Sequence, residues 1–275
     1  MIEDFLVTSK YLKEKASDVG FKILDSRWYL EDINLGKKEY TKGHLPNAIF
    51  FDIEKFSKCS SLLPHTIISN RNFEKKVNKL GINNADEIII YDQQGLFSSA
   101  RTWFMFKLFG HQKVKILDGG YSNWKKAEND ITEEIPFYSS SKYTAKTKED
   151  LLINKTTLEK LIISEDFYIF DARPKNRFEG KEPEPRKNVR KGNIPGSISI
   201  PFTSLSETSG KLKSLKYLHN YFCNIIKSKN MRIVCMCGSG ITACNIIFVL
   251  NILGYENVSL YDGSWTEWGL IEKKI

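Results

Sequence analysis

Tyr91-Asp-Gln-Gln-Gly-Leu-Phe-Ser-Ser-Ala-Arg-Thr-Trp-Phe-Met-Phe-Lys-Leu-Phe-Gly110 can be laid without gaps on Cys235-Met-Cys-Gly-Ser-Gly-Ile-Thr-Ala-Cys-Asn-Ile-Ile-Phe-Val-Leu-Asn-Ile-Leu-Gly254. The register carries on past both glycines. Val114-Lys-Ile-Leu-Asp-Gly-Gly-Tyr-Ser-Asn-Trp124 falls on Val258-Ser-Leu-Tyr-Asp-Gly-Ser-Trp-Thr-Glu-Trp268, and Gly254 and Trp268 each lie 144 residues after Gly110 and Trp124. Upstream, Phe21-Lys-Ile-Leu-Asp-Ser-Arg27 matches Tyr168-Ile-Phe-Asp-Ala-Arg173, and Gly43-His-Leu-Pro-Asn-Ala48 matches Gly192-Asn-Ile-Pro-Gly-Ser197. A repeat of this length is one folding unit written twice, so the chain reads as two homologous domains of about 130 residues each. The expected boundaries are 1–130 and 151–275, joined by a linker over 131–150, a polar stretch rich in Ser, Thr, Lys and Glu.

Each copy alternates short β-branched runs with longer helical patterns. Strands are predicted at 21–25, 49–52, 87–91 and 114–118 in the first copy, with helices over 8–17, 72–80 and 97–109. In the second copy the strands fall at 167–171, 197–201, 231–236 and 257–261. Strands that alternate with helices predict an α/β fold, each domain a mainly parallel sheet with helices on both faces.

Composition narrows the function. With 275 residues, 41% hydrophobic and 27% charged, the chain has material for two packed cores and lacks the signature of a disordered or fibrous protein. The longest apolar stretch, Asn245 to Leu253, is interrupted by asparagines and is far short of the roughly 20 residues that a bilayer requires, so no membrane partner is expected. The first fifteen residues mix both charge signs and contain no apolar core of a signal peptide. Together with an odd number of cysteines, five, this predicts reduced thiols and a cytoplasmic protein. The formal charge is +8, but the lysines are scattered along polar helix faces instead of forming a stripe, which argues against a nucleic-acid partner.

Chemistry in parallel α/β sheets sits beyond the carboxyl ends of strands. The strand over 231–236 runs into Cys237-Gly-Ser-Gly-Ile-Thr-Ala243, a loop of small residues before an apolar helix. Small residues allow backbone N–H groups to turn toward the sulfur, and a helix N-terminus adds partial positive charge. Both favour a thiolate, which makes Cys237 the candidate nucleophile. Cys59, Cys223, Cys235 and Cys244 lack such a loop and read as packed cysteines. Cys235, Cys237 and Cys244 do not have the spacing of zinc ligands, and His44, His65, His111 and His219 form no paired motif, so no metal is expected. The loop also lacks the Gly-Lys-[Ser/Thr] ending of a nucleotide-binding loop. Residues 238–247 hold neither Arg nor Lys, which argues against a cysteine phosphatase, whose loop ends in an arginine that clamps the phosphate.

The loop Cys237-Gly-Ser-Gly-Ile-Thr-Ala243, the element Tyr261-Asp-Gly-Ser-Trp-Thr-Glu-Trp268 and the tandem repeat resemble the two-domain rhodanese-type sulfurtransferases, and within them the branch that takes sulfur from 3-mercaptopyruvate. The resemblance covers residues 5–270 and implies a first domain without a nucleophile; the 144-residue offset sets Gln93 opposite Cys237. Thiosulfate-preferring relatives carry basic side chains within the loop, where this chain has Gly238 and Ser239. A neutral loop suits a donor whose charge lies away from its sulfur. Arg177-Phe-Glu-Gly-Lys-Glu-Pro-Glu-Pro-Arg186 resembles the family's substrate-binding segment with both arginines present, and guanidinium forks suit a carboxylate. Arg177 and Arg186, with the loop residues Gly238, Gly240, Ile241 and Thr242, are therefore the expected substrate-binding set. Phe50-Phe-Asp-Ile-Glu54 and His65 resemble a first-domain segment that faces the nucleophile, and the family implicates an acid at Glu54, a histidine at His65 and Ser239 in proton handling. Two departures stand out: Ile241 replaces the usual valine, and Thr66-Ile-Ile-Ser69 follows His65 where Met-Leu-Pro is commoner.

The implied reaction is double displacement with no metal or organic cofactor. Cys237 takes sulfur from 3-mercaptopyruvate, pyruvate leaves, and the persulfide passes to a thiol acceptor such as thioredoxin or a small thiol, or to cyanide in an assay. Two other readings remain open from the sequence: a thiosulfate sulfurtransferase, and a non-catalytic module that relays persulfide sulfur between partners.

Overall fold

A computed structural model describes residues 2–58, 63–163 and 167–271; Cys59, read above as a packed cysteine, lies outside them. By contacts the chain divides into two units, one of residues 1–57, 67–148 and 206–212, the other of 58–66, 149–205 and 213–275.

The first unit contains β1 (Leu6–Val7), β2 (Phe21–Asp25), β3 (Ala48–Phe50), β4 (Glu87–Tyr91) and β5 (Val114–Leu117), in the sheet order β1-β5-β4-β2-β3 with every pair parallel. Its helices are α1 (Ser9–Lys15), α2 (Leu35–Lys42), α3 (Asn70–Lys79), α4 (Ser99–Leu108) and α5 (Gly120–Lys126). The second unit repeats the plan with β6 (Leu152–Ile153), β7 (Phe167–Asp171), β8 (Ile198–Ser199), β9 (Arg232–Met236) and β10 (Val258–Tyr261), in the order β6-β10-β9-β7-β8, again all parallel. With it come α6 (Lys155–Ile162), α7 (Lys175–Phe178), α8 (Leu215–Cys223), α9 (Ala243–Ile252) and α10 (Ser264–Trp268).

The consecutive residues Ile88, Ile89, Ile90 and Tyr91 of β4 are all 0% exposed. Successive strand residues point to opposite faces, so both faces of the sheet are covered. One face holds Val7, Leu12, Ile23, Ile89, Tyr91 and Trp124, and the corresponding face of the second unit holds Ile153, Leu158, Ile169, Val234, Met236 and Trp265. Helix starts follow their caps: Thr8, Ser69, Asn154 and Ser214 each accept the N–H three residues on, satisfying a donor the first turn leaves orphaned.

Several expectations shift. β3 stops at Phe50 and β8 covers only Ile198–Ser199, shorter than the apolar runs around them. β1 and β6 have two residues each, too few to show a period, and are defined only by pairing with β5 and β10. α2 carries no hydrophobic period in the sequence because it buries only Gly36 and Tyr40. Tertiary contact holds it instead: a Cβ on Gly36 would come 2.0 Å from the Arg27 carbonyl oxygen, and Tyr40 donates its hydroxyl to the Ala48 carbonyl. The polar stretch 131–150 is no free tether as far as Lys148. Tyr143 and Ala145 are buried, Thr132 bridges to His44, and the N–H groups of Lys146 and Lys148 bond the carbonyls of Phe109 and Leu108. Much of that attachment is hydrogen bonding of its backbone to main chain and to the side chains of Glu74, Asn78 and Asn84, which leaves no hydrophobic period to read, and this is why composition reads it as linker.

In each sheet the chain runs from the second strand outward to the third and then returns to the other side. The ends of β2 and β4, and of β7 and β9, therefore flank a topological switch point, where such sheets bind ligands.

Candidate active site

β9 ends at Met236, paired with Asp171 of β7, and Cys237 is the first residue beyond the sheet. Gly240 adopts φ 83°, a left-handed conformation that glycine takes without strain, and its N–H reaches the Cys237 sulfur at 3.2 Å. The carbonyls of the loop are held from the other side by α10. Trp265 N donates to the Cys237 carbonyl at 2.9 Å, while Thr266 N and Oγ1 donate to the Gly238 carbonyl at 3.0 and 2.6 Å. Ser264 Oγ accepts the Cys237 N–H at 3.2 Å. With its carbonyls tied down on this side, the loop presents amide hydrogen to sulfur. The element Asp262-Gly-Ser-Trp-Thr-Glu-Trp268, which in sequence marks only a resemblance, thus has a physical task. α9 follows this short loop, with Thr242 as N-cap residue and Ile241 buried beside it.

Arg177 lies on α7, directly after β7, and Arg186 nine residues on. A Cβ placed on Gly238 would lie 3.1 Å from Arg177 Nη2 and 3.7 Å from Arg186 Nη1. Both guanidinium groups therefore stand against the cysteine loop, and the missing side chain at 238 leaves them room. Arg186 Nη2 donates to Ser239 Oγ at 3.2 Å, and His65 Nδ1 lies 2.8 Å from that oxygen. Arginine only donates, so Ser239 Oγ accepts from Arg186 and keeps its own proton for Nδ1 when that nitrogen is unprotonated. His65 is 4% exposed and holds φ 59°, uncommon for a non-glycine residue. Cys237, Ser239, His65, Arg177 and Arg186 all fall in one contact unit. Glu54 falls in the other, where its carboxylate accepts from Trp28 Nε1 at 2.7 Å.

Three further residues belong to the arrangement. Arg173 clasps Asp171 through Nε and Nη2, the pair 1% and 0% exposed, and its Nη1 reaches Glu184 Oε1 at 2.7 Å. Glu184 also accepts from Arg177 through Nε at 3.2 Å and through Nη2. Glu184 sits within the segment singled out by sequence, but nothing in its spacing distinguishes it from the neighbouring Glu182; burial does, its side chain being 3% exposed.

The remaining cysteines divide. Cys235 is fully buried, and burial pushes its thiol well above the ordinary range, which keeps it inert. Cys244, also buried, donates its thiol to the Gly240 carbonyl at 3.2 Å and so braces the loop. Cys223, expected to be packed, is exposed at the end of α8 next to His219, because α8 buries only Leu218 and Phe222. Among the described residues no cluster of three or more His, Cys, Asp or Glu side chains fits a metal ion.

The first unit corrects the sequence alignment. Tyr91 pairs with Asp25 as Met236 pairs with Asp171, and Tyr121 N bonds the Asp92 carbonyl as Trp265 N bonds that of Cys237. The residue that stands where Cys237 stands is therefore Asp92, not Gln93. The first loop is one residue longer, and a gap-free repeat hides that insertion because α4 and α9 return to the common offset. The Asp92 carboxylate accepts four loop amides, from Gln94, Gly95, Phe97 and Ser99, at 2.6 to 2.9 Å. A fixed carboxylate fills the anion cradle in this copy. Asp92→Ala strands those donors, and an unmade buried hydrogen bond costs about 1–3 kcal/mol. We expect a loss of about 2 kcal/mol in chemical denaturation, with sulfur loading of Cys237 retained.

A rhodanese-like domain model matches residues 8–127 and again 154–270. The 3-mercaptopyruvate sulfurtransferase of Escherichia coli K12 is 35% identical over 98% of this chain and 96% of its own length. The mitochondrial thiosulfate/3-mercaptopyruvate sulfurtransferase 1 of Arabidopsis thaliana is 34% identical over 96% of this chain and 75% of its own length. Among solved structures, SseA of Escherichia coli, described as a 3-mercaptopyruvate sulfotransferase, superposes with a TM-score of 0.86 at 33% identity, covering 95% of this chain and 98% of that one. Since one domain model matches both halves and the similarity to these sulfurtransferases runs over nearly the whole chain, the chain belongs to the two-domain rhodanese-like sulfurtransferases.

Proposed function

We propose that this chain moves sulfur from 3-mercaptopyruvate through a persulfide on Cys237 to a thiol acceptor. The observation that carries the donor choice is the placement of Arg177 and Arg186 against a loop whose own side chains, at Gly238 and Ser239, are uncharged. The donor's carboxylate is two carbons removed from its sulfur, so cations beside the loop can hold it while sulfur meets the nucleophile. The Cys237 thiolate attacks the donor's SH sulfur. The S–S bond forms as the C–S bond breaks, and that electron pair leaves as the enolate of pyruvate. Arginine N–H groups aimed at the enolate oxygens stabilise the developing charge. The persulfide proton then reaches the enolate carbon through Ser239, whose hydroxyl exchanges with His65, leaving pyruvate and an anionic persulfide. Glu54 is assigned to the same proton path. The Gly240 amide stabilises the terminal charge until a dithiol of thioredoxin type, a small thiol or cyanide removes the sulfur.

The first domain, with Asp92 in the cradle, is assigned no nucleophilic role. No helix among the described residues is long and apolar enough to cross a membrane, and we place the protein in a reducing compartment, the cytoplasm, on its free cysteines. Incubation with mercaptopyruvate is expected to add about 32 Da, one sulfur atom, to the peptide that carries Cys237, with release of pyruvate. Comparison of kcat/KM for mercaptopyruvate and thiosulfate on one preparation tests the donor; a strong preference for thiosulfate defeats this reading. Sulfur loading by a partner protein without pyruvate formation would instead support the relay.

A further inference from the structure

Resting on the reading of Cys237 as nucleophile, we infer that Ser264 is a positioning residue, which adopts a strained backbone in order to hold the main chain of Cys237 from the side. Ser264 is 0% exposed and has φ 51°, in the left-handed region that a serine enters only with strain. Its hydroxyl donates to the Tyr261 carbonyl at 2.9 Å and accepts the Cys237 N–H at 3.2 Å. The next residue, Trp265, donates its own N–H to the Cys237 carbonyl at 2.9 Å. Two consecutive residues of α10 thus fix both polar groups of the nucleophile's main chain. What remains free is the side-chain torsion, and the Gly240 N–H, 3.2 Å from the sulfur, settles that.

The first unit builds the same turn without the side chain. Gly120 follows Asp118 by two residues as Ser264 follows Asp262, and it holds φ 55°. The neighbouring contacts repeat. Tyr121 N bonds the Asp92 carbonyl at 2.8 Å as Trp265 N bonds that of Cys237, and Ser122 N and Oγ bond the Gln93 carbonyl as Thr266 N and Oγ1 bond that of Gly238. Tying the loop to the helix therefore does not require a residue with a side chain at this place. On Gly120 a Cβ would come 2.5 Å from the Asp92 carbonyl oxygen and 2.6 Å from Gly95 N, so the longer first loop excludes one. The shorter loop of the second unit admits it, yet glycine would hold that turn too, and without strain. A strained residue persists where its surroundings over-determine it, typically at a site of chemistry. The chemistry here is displacement at sulfur, in which the nucleophile must lie in line with the bond that breaks, and a misplacement of about 1 Å can lower the rate roughly a hundredfold.

Ser264→Gly keeps the turn and removes the hydroxyl; Ser264→Ala removes the hydroxyl and keeps the strain. The donor half-reaction is followed by rapid mixing without acceptor, as the gain of about 32 Da, one sulfur atom, on the Cys237 peptide. Both variants are expected to lower the limiting rate of loading by about tenfold or more. The half-saturating donor concentration is expected to stay within about twofold of wild type, because the arginines beside the loop have other supports, Arg177 at Glu184 and Arg186 at Ser239. Since Ser264 acts on the nucleophile, the rate falls by the same factor with thiosulfate, from which sulfite leaves. In thermal melts Ser264→Gly is expected above Ser264→Ala, because only the glycine relieves the backbone; if Ser264→Ala does not fold, Ser264→Gly decides alone. A residue that only stabilised the fold would lower the melt of Ser264→Gly and spare its loading rate. Loading by Ser264→Gly within tenfold of wild type, a changed half-saturation in place of a changed rate, or a fall with one donor only overturns the inference. Wild-type protein that loads from thiosulfate but not from mercaptopyruvate overturns the donor choice and leaves Ser264 testable. Wild-type protein that loads Cys237 from neither donor overturns the nucleophile reading and this inference with it, and is recognised without any variant.

Discussion

Cys237→Ser abolishes turnover, by about four orders of magnitude or more, and leaves the folding transition close to that of the wild-type protein. A serine hydroxyl at this place is neither ionised near neutrality nor able to carry a sulfur atom that a thiol acceptor can remove, so both half-reactions stop. The fold asks little of the sulfur. It accepts one hydrogen bond, from Gly240, and the loop is otherwise held by Ser264, Trp265 and Thr266 through backbone groups of residues 237 and 238 that the substitution does not touch. The smaller oxygen leaves a small void, worth about 1 kcal/mol at most. Intact-mass analysis after donor treatment and a thermal melt check both halves of the statement. Sulfur uptake by the serine variant, or turnover within a hundredfold of wild type, removes Cys237 from the mechanism. Cys223→Ser, at the exposed cysteine of α8, is the matched control and keeps full activity.

Arg186→Ala lowers kcat/KM for mercaptopyruvate by a hundredfold or more. The side chain combines two tasks: a donor to Ser239 at 3.2 Å and a positive charge beside Gly238. Loss of charged hydrogen bonds to the donor costs about 1.5–3 kcal/mol each, and loss of the Ser239 contact frees the hydroxyl to which we assign the proton transfer. The effect is expected in kcat as well as in KM, because enolate charge grows toward the transition state. Arg186→Lys recovers only part of it, since an ammonium group cannot span two oxygens in a plane. Steady-state kinetics of pyruvate release decides the matter, and an unchanged kcat/KM places Arg186 outside the site.

Much of this was readable from the chain itself. The boundaries of β2, β4 and β7 coincide with apolar runs because those strands are buried on both faces and bounded by polar residues. Cys237 was legible because a cysteine followed by Gly-x-Gly at a strand end has few structural excuses. By contrast β1, β6 and α2 show almost no hydrophobic period, since partners elsewhere in the chain hold them. Glu184 and Glu182 look alike in sequence, and only burial between two arginines separates them. The insertion that brings Asp92 opposite Cys237 was invisible for a related reason: identity is scored along the chain, whereas equivalence in a sheet is set by which residues share a hydrogen-bonded register.

By itself the sequence determined that there are two copies of one parallel α/β unit, and it singled out one loop of the second, at Cys237, as the candidate for the nucleophile, because period, repeat and small-residue spacing are local properties. Tertiary structure alone decided that the carbonyls of that loop are tied to α10, that two arginines stand against Gly238, and that a carboxylate fills the first cradle. Each of these depends on groups distant along the chain meeting within hydrogen-bond reach, and linear order does not encode that distance.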